Sequence, residues 1–256
     1  MEEVLSAETI DHVLIITIDR PEARNAINPR VAREIEDQLD RLELDQNLWI
    51  GILTGSPPVF SAGADLKEIA AGNGDKLSTE KGGFAGIAKR HRRKPLIAAV
   101  EGPALAGGCE IVLACDLIVA SNQATFGLPE VKRSLVAGAG GLFRLFDRLP
   151  ASVATEMVLT GNPITSATAA QYGMINRLCQ DGTALETALA LARQICENAP
   201  LSVWESLGVM QFAQRHRDSE LFRLSSDALM NLMNSDDLNE GLQAFIEKRP
   251  PKWVGK

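Results

Sequence analysis

The chain has 256 residues, of which 45% are hydrophobic and 23% are charged. These are ordinary values for a globular protein that buries an apolar core, and they exclude a disordered or fibrous chain. The formal net charge of -7 gives no support to a nucleic-acid or anionic-membrane partner.

The sequence shows no targeting or metal-binding pattern. Its N-terminus opens on acidic residues and its apolar runs are too short to span a bilayer, so we expect a cytoplasmic location. The four cysteines lack C-x-x-C spacing and indicate reduced thiols. None of the three histidines has a His or Cys at ligand spacing, so we expect no metal site.

Apolar periodicity alternates between strand-like and helix-like segments through the first half of the chain. Strands followed by crossover helices predict a βαβ core. In chain order, we predict strand His12–Ile18, helix Pro29–Leu44, strand Trp49–Leu53, helix Asp65–Ala71, strand Leu96–Val100, helix Gly108–Ala114 and strand Leu117–Ala120.

The other segments follow different patterns. Residues Ala71–Phe84 are glycine-rich and charged with almost no apolar periodicity, so we expect a mobile loop there that shapes a ligand pocket. From about Leu142 onward the strand signals largely disappear. Helical spacing over Ala184–Glu197 and Leu201–Gln214 predicts a mostly helical C-terminal third.

Two strand-to-helix turns carry small residues. Gly107 and Gly108 precede an apolar helix, whose first amide N–H groups would suit an anion or a carbonyl oxygen that becomes one. The turn FSAGADLKE places Ala64 at a second helix start and could supply another donor to the same oxygen. Tight packing of the glycines, and Asp65 as an ordinary helix cap, are the alternatives.

Two glutamates stand in apolar surroundings, which raise a carboxyl pKa and suit acid–base catalysis near neutral pH. Glu110 lies before Ile111, and Glu130 lies in the segment FGLPEV. Glu110 has a structural alternative, since a glutamate in a first helical turn stabilises the helix dipole. A further glycine cluster, residues 138–141, could add an amide to the site or serve as a flexible turn.

The sequence carries no motif typical of nucleotide binding or of a serine hydrolase. The chain has no phosphate-loop sequence, no dinucleotide-binding G-x-G-x-x-G and no G-x-S-x-G around a serine. The basic run of residues 89–94 could bind phosphate, although a solvated helix end is the simpler interpretation.

Seven segments together resemble the crotonase (enoyl-CoA hydratase/isomerase) superfamily, over roughly residues 10–253. No single segment is specific, but their order leaves little room for coincidence. They are RPEARNAIN (20–28), FSAGADLKE (60–68), EGPALAGGCE (101–110), ATFGLPEV (124–131), GAGGLFRL (138–145), EMVLTG (156–161) and FIEKRPP (245–251).

The resemblance implies an α/β fold of stacked ββα turns over residues 1–195. It implies a C-terminal helical region over residues 196–256 that drives trimerisation, so that the protein would be a homotrimer or a homohexamer built from two trimers. It also implies an acyl-CoA thioester as the small-molecule partner, with no cofactor beyond the CoA that enters as part of the substrate.

The resemblance also implies roles for individual residues. The amides of Ala64 and Gly107 would bind the thioester oxygen. Glu110 would deprotonate the water that attacks C3, Glu130 would supply the proton for C2, and the amide of Gly138 would face the same site. The positions matched to CoA binding are Arg24, Ala62, Asp65, Leu66 and Lys67, with Phe245 and Lys248 approaching from a neighbouring subunit.

The activity implied is that of an enoyl-CoA hydratase, which adds water reversibly across the C2–C3 double bond of a trans-2-enoyl-CoA. The alternatives are an enoyl-CoA isomerase, in which one glutamate suffices, a carnitine-type (crotonobetainyl-CoA) hydratase, and an acyl-CoA-binding protein without catalysis. Val136-Ala137 stands where short-chain hydratases often carry Ile-Pro. The surrounding stretch resembles hydratases for carnitine-type or larger acyl groups.

Overall fold

The structure is a computed structural model that describes residues 4–233 and 235–252, with the side chains of residues 212–221, 224, 225, 228, 231 and 232 outside that description. The strands are β1 (Leu5–Ile10), β2 (Val13–Ile18), β3 (Ile50–Gly55), β4 (Ser78–Thr79), β5 (Gly83–Phe84), β6 (Leu96–Val100), β7 (Ala104–Leu105), β8 (Leu117–Ser121), β9 (Thr125–Gly127), β10 (Ile164–Thr165) and β11 (Arg177–Cys179). The helices are α1 (Pro29–Leu44), α2 (Leu66–Ala70), α3 (Gly107–Ala114), α4 (Gly141–Arg148), α5 (Ala151–Thr160), α6 (Ser166–Gln171), α7 (Ala184–Cys196), α8 (Pro200–Leu232) and α9 (Asp236–Glu247). Short 3-10 turns stand at Pro21–Ala23, Gly74–Leu77 and Pro129–Arg133.

Within the described residues, the large sheet has the strand order β1-β2-β3-β6-β8-β11. All neighbours from β2 to β11 are parallel, and β1 pairs antiparallel with β2. Strands β3 and β6 are buried along their whole length, as expected for parallel strands covered on both faces. The sequence did not predict β1, because most of its side chains are exposed and carry no apolar signal.

The ββα turns expected from the sequence are present. After a strand of the large sheet, the chain enters the small sheet β10-β9-β7 and then a helix: β6 leads to β7 and α3, and β8 leads to β9. An isolated bridge between Ser61 and Ala104 extends this pattern to the turn after β3. Each repeat therefore places a helix start next to the small sheet.

Two apolar layers hold the large sheet. On one face, side chains from α1, α3, α4 and α5 form the main core with Ile16, Leu53 and Ala98. On the other face, α7 packs Ala188 and Ala192 against the sheet. Successive side chains of a strand point to opposite faces of the sheet, so both faces carry buried side chains. Helices cover both of these faces.

Residues 71–84, predicted to be a mobile loop, contain regular structure in the form of a 3-10 turn and two short strands. Their mobility and their part in a ligand pocket stay predictions. Strands β4 and β5 form a short hairpin, and Leu77 is only 2% exposed. Lys81 forms an ion pair with Asp40, and the Thr79 hydroxyl donates to Glu36, both partners lying on α1. These contacts are polar, so a prediction based on apolar periodicity could not detect the hairpin.

The C-terminal region is helical, as predicted, with α8 running on to Leu232 where the sequence pattern reached only Gln214. The predicted domain boundary at residues 195/196 falls at the last residues of α7 and stays a prediction, and residues 253–256 of that region lie outside the described part of the chain. No helix among the described residues is long and apolar enough to cross a membrane.

Candidate active site

Two strand-to-helix turns, one after β3 and one after β7, pack directly against each other. The backbone N–H of Leu105 donates to the carbonyl of Ser61 at 3.0 Å. Gly63 has a φ of +89°, and a Cβ placed on it would lie 2.7 Å from the backbone nitrogen of Gly107. Glycine is needed at 63 for both its backbone angle and this close approach. The turns therefore bring the starts of α2 and α3 together.

The amides of Ala64 and Gly107 lie on these touching turns. Ile27 forms hydrogen bonds with the residues on either side of Ala64. Its N–H donates to the Gly63 carbonyl, and its carbonyl accepts from the Asp65 N–H. Gly107 is the first residue of α3, where N–H groups have no acceptor within the helix. In the part of the chain that the structure describes, neither N–H has a hydrogen-bond acceptor. Two such donors can hold one carbonyl oxygen that becomes negative.

The glycine pair at the start of α3 also serves close packing, the alternative that the sequence left open. A Cβ on Gly108 would lie 2.2 Å from the carbonyl oxygen of Ser61. One on Gly107 would lie 2.5 Å from Cε1 of Phe84, a residue of the hairpin strand β5. Packing therefore explains Gly108, whereas Gly107 combines a packing requirement with an unused donor.

Glu110 lies in the first turn of α3 and is only 4% exposed. Its Oε1 accepts from the backbone N–H groups of Ala139 at 2.8 Å and Gly141 at 2.9 Å. Burial raises the pKa of Glu110, and the two hydrogen bonds and the charge of Arg144 only partly offset that rise. Oε2 accepts no hydrogen bond from a described residue, which leaves this oxygen to a substrate or a water molecule.

Glu130 lies in the 3-10 turn Pro129–Arg133. Its Oε2 is buried and has no hydrogen-bond partner among the described residues. Burial raises the pKa of Glu130 to about 8, and the charge of Glu110 adds to the rise. At neutral pH this carboxyl therefore carries a proton that it can donate.

The two carboxyl groups titrate as an interacting pair, since the charge of Glu110 raises the pKa of Glu130. Two carboxyl groups that share a site cannot both ionise easily, so one holds a proton while the other can accept one. The pair thus offers an interacting acid and base, with Glu110 in the first turn of the helix that begins at Gly107.

The family model for enoyl-CoA hydratase/isomerase matches residues 8–256. The chain belongs to this family. A mevalonyl-coenzyme A hydratase from Aspergillus fumigatus is 37% identical, over 94% of this chain and 91% of the relative. The enoyl-CoA hydratase EchA19 from Mycobacterium tuberculosis is 39% identical, over 96% and 94%. The crystal structure of a carnitinyl-CoA hydratase from Mycobacterium avium covers 100% of both chains with a TM-score of 0.96 at 44% identity.

These matches confirm the crotonase-type ββα fold that the sequence predicted. The roles of the individual site residues depend on the geometry of the site. The amides that reach Glu110 are those of Ala139 and Gly141, which sequence reasoning missed. It identified the right segment from its glycine cluster but selected Gly138, whose role stays a prediction. Backbone donors carry no side-chain signature, so only the fold could assign them.

The stretch matched to CoA binding surrounds the start of α2. The Ala62 N–H donates to the Arg24 carbonyl at 3.0 Å, which places these two residues side by side. Asp65 caps α2 by accepting from the Lys67 N–H at 3.1 Å, so its alternative role as a helix cap is confirmed. Asp65 also pairs with Arg20 at 3.1 Å. The five matched positions lie on or next to this turn: Arg24, Ala62, Asp65, Leu66 and Lys67.

Phe245 and Lys248 lie at the end of α9. The guanidinium carbon of Arg133 lies 4.9 Å from the centre of the Phe245 ring, so α9 contacts the turn that carries Glu130 in its own chain. Lys248 is exposed and ends the helix with a φ of +55°. Their approach to CoA bound in a neighbouring subunit stays a prediction.

Proposed function

We propose that this protein catalyses the reversible addition of water across the C2–C3 double bond of a trans-2-enoyl-CoA thioester. One observation carries the proposal: two buried carboxyl groups with raised pKa values lie in a site that also presents two unused amide donors. Hydration needs these functions together, namely a base for water, an acid for C2 and stabilisation of an enolate oxygen.

In the proposed reaction, the thioester oxygen accepts hydrogen bonds from the amides of Ala64 and Gly107. Oε2 of Glu110 takes a proton from water as the hydroxyl adds to C3, and negative charge moves to the thioester oxygen as an enolate. Glu130 then gives its proton to C2. The proton on Glu110 replaces the one that Glu130 lost, so the coupled pair returns to its starting charge.

We infer that this chemistry uses backbone amides and carboxyl groups alone, with no cofactor and no metal ion. The CoA moiety would enter with the substrate and bind along the start of α2, near Arg24 and Lys67. Interactions with such a remote part of the substrate can position the acyl carbons for reaction. Removing one amide donor would cost about 3–4 kcal/mol of transition-state stabilisation.

The test is hydration of crotonyl-CoA and longer trans-2-enoyl-CoAs, followed by loss of the absorbance of the conjugated thioester. We expect turnover by the wild-type protein and a loss of about 10²–10⁴-fold in kcat for Glu110→Gln and for Glu130→Gln. Glu186→Gln, an exposed glutamate on α7, is the matched control and should leave kcat unchanged. Wild-type protein that hydrates no enoyl-CoA would contradict the proposal.

The similarity to a carnitinyl-CoA hydratase favours a carnitine-type hydration as the second candidate. That reaction would use the same two glutamates and amides and would differ only in the acyl tail. A double-bond isomerase would need only one glutamate. Isomerisation that survives one of the two single substitutions would therefore identify it instead. Acyl-CoA binding without any product would identify a binding protein.

We also propose that the protein assembles as a homotrimer or as a homohexamer. Helices α8 and α9 expose large apolar side chains that a monomer would leave in water. Exposed apolar surface of this kind marks protein–protein contact sites. These side chains are Leu201, Val209, Met210 and Met230 on α8, Met233 directly after it, and Phe245 and Ile246 on α9.

A further inference from the structure

Arg133 is a half-buried cation that the proposed hydration leaves without a role. Its Nε is out of contact with solvent and has no hydrogen-bond partner among the described residues. A buried donor without an acceptor is costly, and such a group calls for an explanation such as a ligand. The side chain otherwise packs over the ring of Phe245 at 4.9 Å, which provides no hydrogen-bond acceptor and no negative charge.

Arg133 lies in the same turn as Glu130, the proposed proton donor to C2. Both residues lie in the 3-10 turn Pro129–Arg133, three positions apart. In a 3-10 helix, side chains three residues apart lie on the same face, about 6 Å along the axis. The charge of Arg133 also acts on the Glu130 carboxyl group. Since Glu130 faces C2 of the substrate in the proposed reaction, Arg133 would lie on the same side of the turn, within reach of the acyl group.

The charge of Arg133 acts on the Glu130 carboxyl group and lowers its pKa, without offsetting the rise caused by burial. This interaction is not an ion pair with Arg133. Ion pairs among the described residues do not include it. Glu130 holds its proton at neutral pH, because burial raises its pKa to about 8. The neighbouring cation Lys132 differs in this respect, since its Nζ donates to the side chain of Asn162 at 2.7 Å.

Three aromatic rings that lie beside Arg133 and Arg144 are unsuited to a cationic tail. A quaternary ammonium group binds best on the open faces of aromatic rings. Here the rings of Phe143 and Phe222 lie under the guanidinium of Arg144, at 5.5 and 5.3 Å, and Phe245 lies under Arg133. Cations of the chain therefore already occupy these rings and would repel a second positive charge.

We propose that Arg133 binds an oxygen acceptor at the far end of the acyl group, and that the preferred substrates are short enoyl-CoA thioesters whose acyl chain ends in a carboxylate. This inference rests on the proposed hydration. A guanidinium group matches a carboxylate in charge and in its planar arrangement of donors. The bound carboxylate would supply the partner that Nε lacks.

The experiment compares three substrates with the wild-type protein: glutaconyl-CoA, which ends in a carboxylate, crotonyl-CoA, which ends in a methyl group, and crotonobetainyl-CoA, which ends in a quaternary ammonium. We expect kcat/KM to be highest for glutaconyl-CoA and lowest for crotonobetainyl-CoA. Equal or better hydration of crotonyl-CoA would overturn the inference while leaving the hydratase intact. Failure to hydrate every one of the three would overturn the inference, and failure on longer trans-2-enoyl-CoAs as well would overturn the proposed hydration.

Substitution of Arg133 tests the residue itself. The ratio of kcat/KM for glutaconyl-CoA to that for crotonyl-CoA should fall about ten- to a hundredfold in Arg133→Met, because a hydrogen-bonded charge pair is lost. Arg133→Lys should restore part of that ratio. Lys132→Met, which removes the neighbouring charge, should leave the ratio unchanged.

Three results from these variants would overturn the inference. A rise in KM by the same factor for both substrates would place Arg133 on the CoA moiety. Dissociation of the oligomer in Arg133→Met would place it in a subunit contact. An unchanged ratio would show that it does not bind the acyl tail. If Arg133→Met fails to fold, the wild-type substrate order still decides.

Discussion

At the scale of single residues, burial gives Glu110 and Glu130 their chemistry. Glu110 is buried in the first turn of α3, and Oε2 of Glu130 is buried in the 3-10 turn Pro129–Arg133, so little water surrounds these groups. Loss of water disfavours the charged form and raises the pKa of each. A carboxyl group that is ordinarily ionised at pH 7 thereby becomes a usable proton donor.

The pKa of Glu130 predicts the pH dependence of hydration. Because the proposed reaction needs Glu130 protonated, kcat should fall as pH rises through about 8. A pH profile of crotonyl-CoA hydration between pH 6 and 10 would check this. A kcat that keeps rising above pH 9 would contradict the role of Glu130 as the proton donor.

The same shift predicts a stability effect. The folded state holds the proton on Glu130 up to about pH 8, whereas an unfolded glutamate releases it near 4.5. Folded protein therefore binds more protons between these values, and the free energy of unfolding should decrease as pH rises from 4.5 to 8.

Glu130→Gln removes this titration, so its stability relative to the wild type should increase across the same interval. Urea unfolding of both proteins at pH 5 and pH 9 measures the difference. A difference that is the same at both pH values would show that the pKa is not raised.

At the scale of elements, the close contact between the turns after β3 and β7 sets the geometry of the site. The starts of α2 and α3 meet because glycine at 63 and 108 lets two backbones approach. Helix α4 then supplies two amides at its own start to hold Glu110. Three helix starts thus surround the proposed thioester site.

Gly108→Ala tests this contact. Its Cβ would lie 2.2 Å from the Ser61 carbonyl, so we expect a loss of about 1–3 kcal/mol in the free energy of unfolding from overpacking. Gly208→Ala is the matched control, because nothing lies within 4 Å of its Cβ and alanine favours the interior of α8. Equal stability of the two variants, measured by urea unfolding, would contradict the close packing.

The sequence predicted elements well wherever apolar side chains mark them. Strands β2, β3, β6 and β8 and helices α1 and α3 all appear where periodicity placed them. It missed β1, an edge strand with mostly exposed side chains, and the β4–β5 hairpin, which polar contacts hold. It named Glu110 and Glu130 from their apolar neighbours, but the donors at Ala139 and Gly141 depend on how α4 meets α3.

At the scale of the whole molecule, the C-terminal helices leave apolar side chains exposed. Val209 on α8 is 73% exposed and Ile246 on α9 is 68% exposed. A single chain gains nothing from apolar groups in water, so contact with further copies would explain them. This is the physical reason for expecting a trimer or a hexamer.

Sedimentation or light scattering should give three or six times the chain mass of 27.6 kDa. Ile246→Glu should shift the equilibrium toward smaller species, since it would bury a charge in the contact. Leu44→Glu, which changes an exposed apolar residue at the end of α1, should leave the mass unchanged. A wild-type monomer would contradict this expectation.

The most direct measurement is a crystal structure with acetoacetyl-CoA bound. The account predicts that its thioester oxygen lies about 2.7–3.1 Å from both backbone nitrogens, at Ala64 and Gly107, with the carboxyl groups of Glu110 and Glu130 beside the two carbons next to it. A thioester oxygen that binds elsewhere, or a carboxyl group directed away from the acyl chain, would contradict the account.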